Sequence, residues 1–121
     1  PARVARELDA GFAALRAAGV TPTRFRSPAG IKNLWLAPAL RVRGLTGVGW
    51  SARGLEHWPG DAGAVAHRVL RHVFPGAILL LHEGPRVPPS IRVDSIRLVL
   101  ERLHEQGFQC VVPAAEHLDG R

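Results

Sequence analysis

The sequence predicts an α/β fold of about four parallel strands with flanking helices. Three observations carry this. Segments with apolar residues at helical spacing alternate with short, continuous apolar runs. Gly and Pro punctuate the joints between them. The 121 residues have an ordinary apolar fraction, 46%, which points to one packed domain spanning residues 1–121.

The elements follow in order. Val4 to Ala18 reads as a helix: Val4, Leu8, Phe12 and Leu15 recur at helical spacing, and Gly19 stands where a C-terminal cap belongs. Thr23 to Ser27 is a short strand, broken by Pro28-Ala29-Gly30. Ile31 to Val42 mixes apolar residues with Pro38 and reads as a turn or two of helix within a loop. Leu45 to Trp50 is a glycine-rich strand, and a polar connection runs from Ser51 to Gly60.

Asp61 can cap a helix running to about Val73, with Val65, Val69, Leu70 and Val73 inward. Ala77 to Leu81 is continuously apolar, as expected of a strand covered on both faces. Ile91 to Gln106 is the clearest helix, with Ile96, Val99, Leu100 and Leu103 in one stripe and Gly107 at its end. "FQCVV" reads as another buried strand, and "PAAEHL" as a terminal turn. Strands alternating with helices imply parallel pairing. Three helices and a loop barely cover a sheet of four strands, which needs both faces covered.

Composition excludes several classes. The net charge is +6, with Lys32 the single lysine. The arginines are scattered over all segments, without the aromatic–basic interleaving of single-strand binders, so no nucleic-acid partner is expected. Cys110 stands alone, which rules out a disulfide framework or a cysteine metal cluster. Its apolar neighbours predict a buried core residue. No apolar run approaches a membrane span. The first residues are amphipathic rather than signal-like. The chain begins without Met, so location stays open between bacterial cytoplasm and cell envelope.

Parallel α/β folds place their working residues at the C-terminal ends of strands. Three predicted strands end in Arg26, Trp50 and His82, and a parallel sheet brings all three to one rim. His67 and His72 are five apart and fall on different helical faces, so they form no joint metal site. His104 sits between Glu101 and Glu105 on a polar face, and His57 lies in the glycine-rich loop.

The segments "RSPAG" (26–30), "GWSARGLEHW" (49–58) and "ILLLH" (78–82) resemble the third, fourth and fifth motifs of the polysaccharide deacetylases. These are the NodB-homology proteins of carbohydrate esterase family 4. The resemblance spans about Phe25 to Leu118. It implies the C-terminal half of a distorted (β/α)7 barrel and a metal-dependent hydrolase that removes N- or O-acetyl groups from a carbohydrate. By motif match, His82 would be the general acid and Arg26 would orient the catalytic aspartate. Leu80 would wall the acetyl pocket. Trp50, Trp58 and Gly30 would line the substrate groove.

Two departures stand out. Arg53 occupies a position where an acid is common, and Glu56 takes the second acidic position. The residue that orients His82 is therefore Glu56 or Glu83. The first two motifs are absent: the chain has no Asp-Asp pair and no His-x-x-x-His. The divalent metal, zinc in the family, and the base would come from elsewhere, and this chain should bind no metal alone. A half-barrel with open edges calls for a partner, either the N-terminal half or a second copy. The competing readings are a non-catalytic sugar-binding or assembly module, and a flavodoxin-like domain. The latter lacks a phosphate-binding glycine loop.

Overall fold

The computed structural model describes residues 2–118. They divide into two compact units, one of residues 2–49 with 114–118 and one of Trp50–Pro113.

In the first unit, helix α1 (Ala2–Ala17) is followed by β1 (Arg24–Phe25), α2 (Leu36–Val42) and β2 (Thr46–Gly47). Leu8 of α1 packs with Leu40 and Leu45, with Val4, Phe12, Phe25 and Leu36 around them. The predicted stripe therefore holds at its first three positions, whereas Leu15 is exposed. Strands β1 and β2 pair in parallel, Arg24 opposite Thr46 and Phe25 opposite Gly47. Arg43 clamps Asp9 with Nε at 2.7 Å and Nη2 at 2.8 Å, and also donates to the carbonyls of Ala39 and Ala5. This two-pronged hydrogen bond holds the Asp9 carboxyl below its ordinary range.

The second unit runs β3 (Ala52–Arg53), α3 (Ala62–Leu70), β4 (Leu79–Leu80) and α4 (Pro89–Glu105). Strands β3 and β4 are parallel, with Ala52 opposite Leu79 and Arg53 opposite Leu80. Asp61 caps α3: its carboxylate accepts from the Ala64 N–H at 2.8 Å, satisfying a donor that the first helical turn leaves free. Ala66 and Val69 of α3 meet Val99 and Leu103 of α4 over Ala52, with Leu79, Leu81 and Phe108 at the margin. The small side chains of Ala52 and Ala66 let helix and strand approach closely. A second cluster joins Val65, Val87 and Ile91. It holds down the loop that follows β4. Past α4, Gly107 takes φ 79°. The Phe108 N–H then bonds back to Leu103 and the Gly107 N–H to His104, each at 2.9 Å.

Several expectations need correction. The four strands form two separate parallel pairs, not one sheet. "FQCVV" contributes no strand, and Cys110 is exposed rather than buried. Val111 and Val112 beside it are exposed as well. An apolar run read alone does not tell a core strand from a surface segment that found no partner strand. Strand β3 arises instead inside the stretch read as a polar connection, because Ser51, Ala52 and Gly54 N–H groups bond to Ile78 and Leu80 carbonyls. Helix α3 stops at Leu70, short of Val73. The buried stripe of α4 is Ile91, Ser95, Val99 and Leu103, a strict i, i+4 row, and Leu100 is exposed. Leu79 and Leu80 are half-buried rather than fully covered.

Candidate functional site

Within the second unit the site is built at the C-terminal ends of β3 and β4. Leu79 and Leu81 pack into the core, so Leu80 between them falls on the opposite face. The chain then leaves the strand at His82, whose side chain is 56% exposed. A turn closed by the Val87 N–H on the Gly84 carbonyl follows, and buried Val87 anchors it.

Glu56 reaches His82 from the end of β3. Its side chain is 1% exposed, although glutamate is rarely buried without a partner. One oxygen, Oε1, accepts the His82 backbone N–H at 2.6 Å. The other, Oε2, lies 3.1 Å from His82 Nδ1. The carboxylate thus grips both main chain and ring of one residue, which fixes ring position and direction together. Glu83 is exposed and takes part in no ion pair among the described residues. The geometry therefore brings His82 together with Glu56 and not with Glu83.

The remaining expected residues distribute as follows. Trp50 lines a cleft of about 410 Å³ together with Arg53, Leu55, Arg68, Arg71 and His72. Trp58 is 55% exposed and does not line that cleft. Arg26 belongs to the first unit and follows β1. Its Nε and Nη2 point at the carbonyls of Val48 and Gly49, at 3.5 and 3.4 Å, just past the end of β2. The loop after it is a single 3-10 turn, Pro28–Gly30. Ser27 closes this turn through its hydroxyl on the Ile31 carbonyl at 2.5 Å. Gly30 is half-buried in this turn. In each strand pair the polar residues singled out from sequence thus follow C-terminal strand ends.

Gly54 and Arg68 were not singled out from sequence. Arg68 Nε donates to the Gly54 carbonyl at 2.8 Å, and nothing in the spacing of the two residues signals that bond. Among the described residues, no three His, Cys, Asp or Glu side chains are grouped so as to hold a metal ion. No described helix is long and apolar enough to cross a membrane.

The four helices and two small parallel strand pairs, each pair with polar residues after its strand ends, make a mixed α/β fold. The fold is that found in the family 4 carbohydrate esterases. A family 4 acetyl xylan esterase from Clostridium thermocellum, solved with a cobalt ion, matches with TM-score 0.67 and 24% identity, over 89% of this chain and 51% of its own. A family 4 pseudoenzyme from Bacillus anthracis matches with TM-score 0.72 and 19% identity, over 88% and 36%. A peptidoglycan N-acetylglucosamine deacetylase, in complex with an N-hydroxybenzamide, matches with TM-score 0.62 and 27% identity, over 80% of this chain and 45% of its own. The chain therefore spans about half or less of each of these structures. No protein-family model matches the sequence.

Proposed function

We propose that this chain is part of a metal-dependent polysaccharide deacetylase that hydrolyses N- or O-acetyl groups on a carbohydrate. The observation that carries the reading is the Glu56–His82 pair: a buried carboxylate on Nδ1 of an exposed histidine. With Nδ1 committed to Glu56, Nε2 is the ring atom left to transfer a proton. A histidine so held can protonate the departing amine nitrogen or alkoxide oxygen as its bond to the acyl carbon breaks. Water's oxygen ends on the acyl carbon, releasing acetate and the free amine or alcohol.

In this reading Leu80 walls the space for the acetyl methyl, and Trp50 and Trp58 offer aromatic faces to sugar rings. Gly30 keeps the substrate groove open. Arg26 orients the catalytic aspartate of the missing portion. The base and the divalent metal, zinc by resemblance, are assigned to the N-terminal half of the barrel, and this chain alone is inactive. That half, or less simply a second copy, is the expected partner.

A second reading has its own support. The sequence carries no Asp-Asp pair and no His-x-x-x-His, which is also what a non-catalytic sugar-binding or assembly module with the same half-fold would show. The test is acetate release from acetylated chitin and xylan oligomers by the parent protein. The deacetylase reading expects activity that falls about 10²–10⁴-fold in His82→Ala. A parent frame without an upstream Asp-Asp and His-x-x-x-His, together with oligosaccharide binding but no acetate release, decides for the second. Acetate release by this chain alone would refute the assignment of base and metal to a missing half.

A further inference from the structure

We propose that Gly54 and Arg68 are positioning residues for His82, acting through Glu56. This rests on the reading of His82 and Glu56 as an acid and its tether. Gly54 follows β3 and is tied on both sides. Its N–H donates to the Leu80 carbonyl of β4 at 3.1 Å, and its carbonyl accepts Arg68 Nε of α3 at 2.8 Å. Strand β4 is the strand that delivers His82, so the tether and the residue it holds share one frame.

Gly54 is required for space rather than for an unusual backbone angle, since it is not among the positive-φ glycines. A Cβ there would lie 2.8 Å from Glu56 Oε1, 2.9 Å from Glu56 Cδ and 2.8 Å from Leu81 Cδ2. At such separations something must give, and the atoms in the way are the Glu56 carboxylate and the Leu81 side chain. The next residue, Leu55, has φ 54°, a left-handed value that non-glycine residues rarely adopt. That turn sends Glu56 back under the strand ends. A chain held in such a conformation needs restraint from its surroundings, and the Arg68 bond acts on the residue just before it.

Arg68 itself has no ion-pair partner among the described residues, and its Nη2 is buried without a hydrogen-bond partner. Charge pairing therefore does not account for its placement, whereas the bond to the Gly54 carbonyl does.

The experiment uses the 121-residue chain, labelled with ¹⁵N, and reads the His82 ring nitrogens by long-range ¹H–¹⁵N spectra. Glu56→Gln defines the position of a ring that has lost its carboxylate partner at Nδ1. Gly54→Ala and Arg68→Met should move the His82 signals most of the way from the wild-type to that position, with His104 unmoved as the reference for an intact fold. Arg68→Lys, which can still donate to the Gly54 carbonyl, should restore them. If Gly54→Ala fails to fold, Arg68→Met and its lysine rescue decide. Wild-type signals in Arg68→Met, with displaced signals in Glu56→Gln, would overturn this proposal and leave the Glu56–His82 pair standing. Unmoved signals in Glu56→Gln itself would overturn both.

Discussion

Replacing Glu56 by Gln removes the charge while preserving length and volume. Two bonds are at stake, at 2.6 and 3.1 Å. A hydrogen bond to a charged group contributes about 1.5–3 kcal/mol and a neutral one about 0.5–1.5, so each loses about 1–1.5 kcal/mol. In global stability this loss is offset by not burying a charge. At the ring there is no offset. The amide oxygen keeps the His82 backbone N–H, and the amide nitrogen then faces Nδ1. It is a donor, so Nδ1 must accept and the proton moves to Nε2. The fraction of neutral ring carrying its proton on Nδ1 should fall about tenfold, as expected for about 1.4 kcal/mol. Glu56→Asp tests reach. It withdraws the carboxylate by about one C–C bond, ~1.5 Å, which takes the 3.1 Å contact beyond hydrogen-bond distance. Ring ¹⁵N shifts report the tautomer directly. A ring whose tautomer is unchanged in both variants would refute the tether.

Other expected outcomes can be checked on the same chain. Asp61→Ala removes the cap on Ala64 and should lower unfolding stability by about 1 kcal/mol in a denaturant titration, with Asp61→Asn losing less. Because the Asp9 carboxyl is held below its ordinary value near 3.8, its contribution is fully present above that value and is lost as pH falls through the lowered one. Unfolding curves in this acid range should flatten in Asp9→Asn. Cys110 is exposed, so a thiol reagent should modify it to completion in the native state, at the rate seen in denaturant.

Much of the fold was legible because it depends on local rules. The helix spacing of Val4, Leu8 and Phe12, the cap at Asp61 and the stop at Gly107 are set by residues near one another in the chain. Arg26 and His82 were read at strand ends because short strand-forming runs stop there, the first broken by Pro28-Ala29-Gly30. Strand β3 was not legible: "SARG" has no apolar alternation, and it is a strand because Ile78 and Leu80 present carbonyls to it. The reverse holds for "FQCVV", whose composition favours a strand that no neighbour completes.

For the site, sequence alone left both Glu56 and Glu83 as candidates for holding His82. Glu83 is adjacent in sequence, but a residue's immediate neighbour points elsewhere, and its side chain is exposed. Glu56 lies 26 positions away and wins because β3 and β4 lie side by side. The sequence by itself determined which residue types were present and that Arg26 and His82 follow strands, since those readings rest on local runs and turn residues. Only the tertiary structure decided which carboxylate meets the histidine, because a hydrogen bond depends on distances of a few ångströms that strand pairing sets.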